Sequence, residues 1–246
     1  MKFVAIAGSI APDSYNRKLV EYIRRHYRDL AEIEVLPIND VPMFNEDHNV
    51  THTPVIQNLN QKIAAADGVI LATPEHDHTT TAALKSVLEW LSYQVHPFNQ
   101  KPVLIVGASY FSQGTSRAQL DLRQIMEAPG VGAYVMPGDE FLLGNVREAF
   151  DDQGNLKDQR TVDFLTSVMK KFVQWVSVLS AMDVLNLAAE QEQVAADTTA
   201  SASVTDEEAD TDASASITTV DDANERAAEG SKDDQTADTG ASASIK

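Results

Sequence analysis

Apolar residues fall in short runs along the first three quarters of the chain, and these runs alternate with stretches of helical period. Lys2–Ala7 (KFVAIA) is nearly all apolar and stops at Gly8, the pattern of a strand covered on both faces. Asp67–Thr73 (DGVILAT) and Pro102–Gly107 (PVLIVG) repeat that pattern, and Val131–Met136 (VGAYVM) reads as a further strand. Glu32–Pro37 (EIEVLP) alternates instead, as a strand near an edge does. Between them, Ser14 is placed to cap a helix with Leu19, Ile23, Tyr27 and Leu30 at helical spacing. Pro54 opens a second helix reaching Ala66, a third runs from Thr79 to Tyr93, and a fourth from Thr115 to Glu127. The last spans Gln159 to Met182, with Leu165, Val168, Met169, Phe172, Val176 and Leu179 on one stripe. Strands alternating with helices predict an α/β fold: a five-stranded parallel sheet with helices on both faces. In such sheets ligands bind beyond the carboxyl ends of the strands, so the loops after strands 1, 3 and 4 are the place to look.

The C-terminal quarter departs from this rhythm. The chain has 246 residues and a formal net charge of −18, and Leu187–Lys246 holds 15 acidic residues against three basic ones. Aromatic residues are missing from this segment, and an Ala-Ser-Ala-Ser unit recurs after Thr199, Asp212 and Gly240. So little apolar surface predicts a disordered acidic tail (187–246) behind a folded domain of residues 1–186. The tail reads either as a solvated charge carrier or as a partner-binding segment built on the repeated units. The acidic balance argues against nucleic-acid binding, which needs clustered Lys and Arg. With no cysteine, disulfides, thiolate metal sites and thiol catalysis are excluded. No run approaches a membrane span, and no secretory signal layout opens the chain, so a cytoplasmic protein is expected.

The loop after strand 1, Gly8–Asn16 (GSIAPDSYN), sets hydroxyl and amide donors ahead of a helix N-terminus, which suits a phosphate. It is neither an NTPase phosphate loop nor a G-x-G-x-x-G dinucleotide motif, and taken alone it equally fits a capped strand–loop–helix turn. The loop after strand 3 runs Thr73-Pro74-Glu75-His76-Asp77-His78 and then into the third helix. Its acids and histidines invite a metal reading, but the spacing matches no established ligand motif. Asp151–Asn155 hints at a calcium loop without the full ligand spacing and reads as a turn.

Taken together, these loops resemble those of the NADPH-dependent FMN reductases, a flavodoxin-like family that includes quinone, azo-dye and chromate reductases. The match lies at Gly8, Ser9, Ser14 and Asn16, then at Pro74, Glu75, Leu84, Lys85 and Trp90, and then in Gly107–Arg123 with its Arg117-Ala118 pair. Ala149–Asp158 is similar to the family's turn before its last helix. The resemblance implies a flavodoxin-like three-layer sandwich holding FMN, with NADPH or NADH as co-substrate and a small molecule as electron acceptor. It implies that Ser9, Ser14, Tyr15 and Asn16 hold the FMN phosphate. The ring would lie against Pro74, Glu75, His76, Asp77 and His78, with Ser109 and Gly114 on its polar edge. It also implies a homodimer or homotetramer. The flavin carries the hydride chemistry, so no catalytic side chain is named; Ser112 and Arg117 are candidates for shaping the third loop. Ala11 stands where the family has an arginine, and His76-Asp77 where it has Tyr-Asn. These departures keep a second class open, a flavin-binding or interaction protein that has lost reductase activity.

Overall fold

A computed structural model describes residues 1–182. The acidic segment, including the whole of the expected tail, lies outside the described residues. Five sheet positions are filled in the order β2-β1-β3-β4-β5, all parallel, by β1 (Lys2–Ala7), β2 (Glu32–Leu36), β3 (Gly68–Ala72), β4 (Pro102–Ala108) and β5 (Tyr134–Val135). A sixth strand, β6 (Phe141–Leu143), also pairs parallel with β4, farther along it. The fifth position is therefore built from two pieces: β5 pairs with Pro102 and Val103, and β6 with Val106–Ala108.

The split corrects the expected strand Val131–Met136. Val131 and Gly132 both donate to Ala128 O and Ala133 donates to Met126 O, so this apolar stretch first closes the end of a helix. Pairing with β4 starts only at Tyr134, breaks over Pro137-Gly138, and resumes at Phe141.

The helices α1 (Tyr15–His26), α2 (Pro54–Ala65), α3 (Ala82–Tyr93), α4 (Ser116–Glu127) and α5 (159–182) lie on both faces. Alternation along each strand decides which face a residue serves. Phe3, Ala5 and Ala7 of β1 pack with α1 and with Leu165, Val168, Met169, Phe172 and Val176 of α5. Val4 and Ile6 pack with α2, α3 and α4. Helix α1 ends earlier than its apolar spacing suggests: Tyr27 is its C-cap, and Leu30 packs from the turn beyond. Helix α3 starts later, at Ala82, because Thr79 belongs to a tight turn and Thr81 is the N-cap.

Candidate functional site

The chain leaves β1 through Gly8, where a Cβ would sit 2.8 Å from Leu84 Cδ2 and 3.3 Å from Pro74 Cδ. The first loop therefore runs against the second with no side chain between them. Thr81, the N-cap of α3, ties the two together: its hydroxyl donates to Gly8 O at 2.7 Å and accepts from Leu84 N at 3.1 Å. Ser14 caps α1, its hydroxyl accepting from Arg17 N at 3.3 Å. The first turn of α1 holds no acidic residue, so its positive end and spare amides are not neutralised from within the helix.

Asn16 faces inward. It is 3% exposed. Its Nδ2 donates to Ala108 O and its Oδ1 accepts from Ala108 N, both at 2.9 Å, so it clamps the start of α1 to the end of β4. Arg17 reaches back beneath the loop, donating to Ser9 O and to Asn39 Oδ1, each at 3.3 Å. Asn39 in turn donates to Ile10 O at 3.1 Å. The guanidinium nearest this loop thus supports its backbone.

The second loop is a two-residue turn. His76 and Thr79 exchange both backbone hydrogen bonds at 3.0 Å, and Asp77 and His78 between them have φ of 49° and 66°. Positive φ at both central positions defines a type I′ turn, a conformation that Asp and His tolerate better than most residues. The turn's own bonds use the His76 and Thr79 amides, and among the described residues the Asp77 and His78 amides have no backbone partner. Glu75 points away from them: its Oε2 accepts from Arg117 N at 3.0 Å and Ala118 N at 3.2 Å, capping α4, whose N-cap Thr115 makes no side-chain cap bond. Arg117 adds a loose ion pair to Glu75 at 3.8 Å while half exposed, so its role in the described residues is structural. Asp121 accepts from the Thr79 hydroxyl and holds the far end of the turn.

The third loop, after β4, leans on the segment after β6. Ser109 N donates to Leu143 O at 2.9 Å, and Val146 N donates to Ser109 O at 3.1 Å. Gly107 has no room for a side chain: a Cβ there would collide with the Thr115 hydroxyl and lie 2.6 Å from Thr73 O. Gly114 sits at φ 65° against Leu142. Ser112 meets the same segment through its carbonyl, which a Cβ on Gly144 would approach to 2.5 Å.

The three loops enclose two adjoining hollows at the carboxyl rim. One, about 220 Å³, is lined by Ser9, Ser14, Tyr15, Asn16, Pro74, Glu75, His76 and Ser109 among others. The second, about 320 Å³, shares Glu75 and Ser109 with it and adds Asp77, His78 and Gly114. Every residue proposed for the site from the sequence is thereby brought to one rim. The first hollow offers the Ser9, Ser14 and Ser109 hydroxyls and the first-turn amides of α1, a donor set suited to an anionic group; two carboxylates, Asp13 and Glu75, also border it. Sequence reasoning missed Tyr110 and Phe111, which line the first hollow while being 55% and 69% exposed. Adjacent aromatics in a polar loop after a buried strand were the available signal. It also missed Asn39, whose bracing role no local pattern announces.

A parallel sheet of order 2-1-3-4-5 with its clefts at the carboxyl rim defines the flavodoxin-like class of α/β folds. Within it, the chain belongs to the NADPH-dependent FMN reductase family, whose model matches residues 1–148. It is 41% identical over 182 residues to the NADH:(hydroxy)cinnamate reductase subunit CrdA of Vibrio ruber, covering 74% of this chain and 90% of the relative. It is 40% identical over 181 residues to the NADH-dependent flavin reductase subunit 2 of Lactobacillus johnsonii, covering 72% of this chain and 97% of that one. Among solved structures, FerB, the flavoenzyme NAD(P)H:(acceptor) oxidoreductase of Paracoccus denitrificans, superposes with a TM-score of 0.65 at 26% identity, over 72% of this chain and 97% of FerB. Among the described residues, no helix is long and apolar enough to cross a membrane.

Proposed function

We propose that the chain is an FMN-dependent NAD(P)H oxidoreductase that passes electrons from a nicotinamide nucleotide to flavin, quinone or another small acceptor. One observation carries the reading: three loops far apart in sequence line adjoining hollows at one rim, with anion donors in one and the Asp77–His78 turn in the other. When bound, FMN would supply the hydride chemistry.

The protein's part is to bind, orient and exclude water. The Ser9 and Ser14 hydroxyls and the Tyr15 and Asn16 amides would hold the phosphate at the positive end of α1. Arg17 and the Asn16 clamp fix the backbone that carries these donors. Pro74, Glu75 and His76 would form the floor under the ring, and the Asp77 and His78 amides would face its polar edge with Ser109 and Gly114. Glu75 serves this floor indirectly, by locking the second loop onto α4. Tyr110 and Phe111 would shield the ring side from water.

The names of the two bacterial relatives favour NADH as the reductant. Both relatives are named as subunits, so a flavin carried by a partner chain belongs among the acceptors to assay. Residues 1–186 would form the catalytic domain, assembled as a homodimer or homotetramer and working in the cytoplasm.

The test is an FMN titration of the purified chain followed by anaerobic NADH or NADPH. Stoichiometric yellow protein that bleaches with one nucleotide and recolours with quinone is the expected result. Protein that stays colourless, or a bound flavin that neither nucleotide reduces, would reject the reading.

A further inference from the structure

A third hollow, of about 450 Å³, shares Tyr110 and Phe111 as a common wall with the FMN-type cleft. Its remaining walls are Asn145, Arg147 and Glu148. This segment is rigidly joined to the site. Val146 is 1% exposed and its N–H bonds Ser109 O, while Asn145 N reaches Phe111 O at 3.4 Å. Arg147 lays its guanidinium over the Tyr110 ring, 4.8 Å from the centroid, and Tyr110 meets Tyr15 edge-on at 5.6 Å. This contact holds the guanidinium against the ring, and among the described residues its N–H groups make no hydrogen bond.

The other arginines near the rim are committed. Arg17 bonds Ser9 O and Asn39, Arg117 pairs with Glu75, and Arg123 donates to Met136 O. Among the described residues no ion pair includes Arg147. An oriented, unpaired guanidinium one aromatic wall away from the cleft, in a chain of net charge −18, is suited to an anion on a ligand that straddles that wall.

We propose that Arg147 binds the diphosphate of the nicotinamide nucleotide, whose reducing ring enters the cleft on the other side of Tyr110 and Phe111. The inference rests on the oxidoreductase reading. An anionic acceptor would present similar chemistry, and the assay separates the two. Glu148 lines the same hollow and opposes the diphosphate, so removing its charge should act in the reverse direction.

The experiment uses FMN-loaded full-length protein, with NADH and dihydronicotinamide riboside as alternative donors. The riboside carries the same reducing ring without phosphate. In Arg147→Gln, the ratio of kcat/KM for NADH to that for the riboside should fall about tenfold, the scale of one exposed charge-assisted hydrogen bond. The Kd of ADP-ribose, measured by calorimetry, should rise by about the same factor, and both effects should shrink at high salt. Arg147→Lys should recover part of the loss, and Glu148→Gln should tighten ADP-ribose. An unchanged donor ratio with unchanged ADP-ribose affinity overturns the proposal, as does a change confined to the KM of an anionic acceptor. Those results leave the FMN reading standing, because FMN affinity is measured first on both proteins. If the wild-type chain fails to take up FMN, it is the oxidoreductase reading that fails.

Discussion

Replacing Asn16 by alanine should cost more stability than FMN contact alone would explain. Its amide makes two 2.9 Å hydrogen bonds to the backbone of Ala108, at 3% exposure. Truncation strands a buried N–H and a buried carbonyl, each costing about 1–3 kcal/mol when unpaired. Water entering from the rim offsets part of this, so a loss of about 2–4 kcal/mol is expected in the FMN-free protein. For a domain of this size that is about 5–15 °C in Tm. Urea unfolding followed by far-UV circular dichroism gives the number, and an FMN titration gives the accompanying loss of affinity. Asn16→Asp sharpens the argument. A protonated carboxyl can both donate to Ala108 O and accept from Ala108 N, whereas the carboxylate repels the carbonyl. Its folded pKa should therefore lie above the ordinary carboxyl value of about 4. A raised folded pKa means stability fully present below the unfolded value and lost as pH rises through the folded one. The aspartate variant should thus be nearest to wild type in acid and weakest near neutrality. A loss below about 0.5 kcal/mol in Asn16→Ala, with an unchanged m-value, would refute the clamp. So would a pH-independent deficit in Asn16→Asp.

Two other expectations follow from the geometry. Glu75→Ala should destabilise the domain by about 1–2 kcal/mol in denaturant unfolding, because α4 loses its only side-chain cap among the described residues; Glu75→Gln should recover much of it. Burial, with Tyr27 adding to it, pushes the Tyr22 phenol up to about 12. A folded pKa raised above 10.0 means that stability from the neutral phenol is complete below that pH and lost as pH rises towards about 12. Alkaline unfolding curves should flatten in Tyr22→Phe, and Tyr27, also raised by burial, should account for the slope that remains.

What the sequence disclosed follows the range of the forces involved. Strands β1, β3 and β4 are buried on both faces, so their apolar runs marked them within a residue or two. The fifth position failed because Val131 and Ala133 are apolar for a different reason: they pack behind α4 while their amides close its end. Strand β6 has three residues, too few for a period to register. The site's location was legible from topology, since the loops after β1, β3 and β4 must share a rim. Individual roles were not. Asn16 looked like a phosphate donor because it opens a helix, yet its polar atoms bond a residue 92 positions away. Glu75 looked like part of a ring-contacting loop, yet its carboxylate caps a helix 42 positions downstream.

Both residues show why motif positions can persist through changes in charge around them. Arg17 lies beneath the first loop, bonded to Ser9 O, and does not line the hollow, so the absence of arginine at Ala11 removes a charge without removing the loop's support. The loop's shape depends on Asn16, Arg17, Asn39 and Thr81, each bonded to backbone. An anion held there meets amides and hydroxyls fixed by backbone contacts, with the α1 dipole, unopposed by any acidic residue in its first turn, adding positive potential. Affinity for a phosphate at such a site comes mainly from short hydrogen bonds and depends only weakly on ionic strength. The nicotinamide diphosphate assigned to Arg147 would be held by an exposed guanidinium and should be salt-sensitive. The same protein should therefore bind its two nucleotides with different salt dependence.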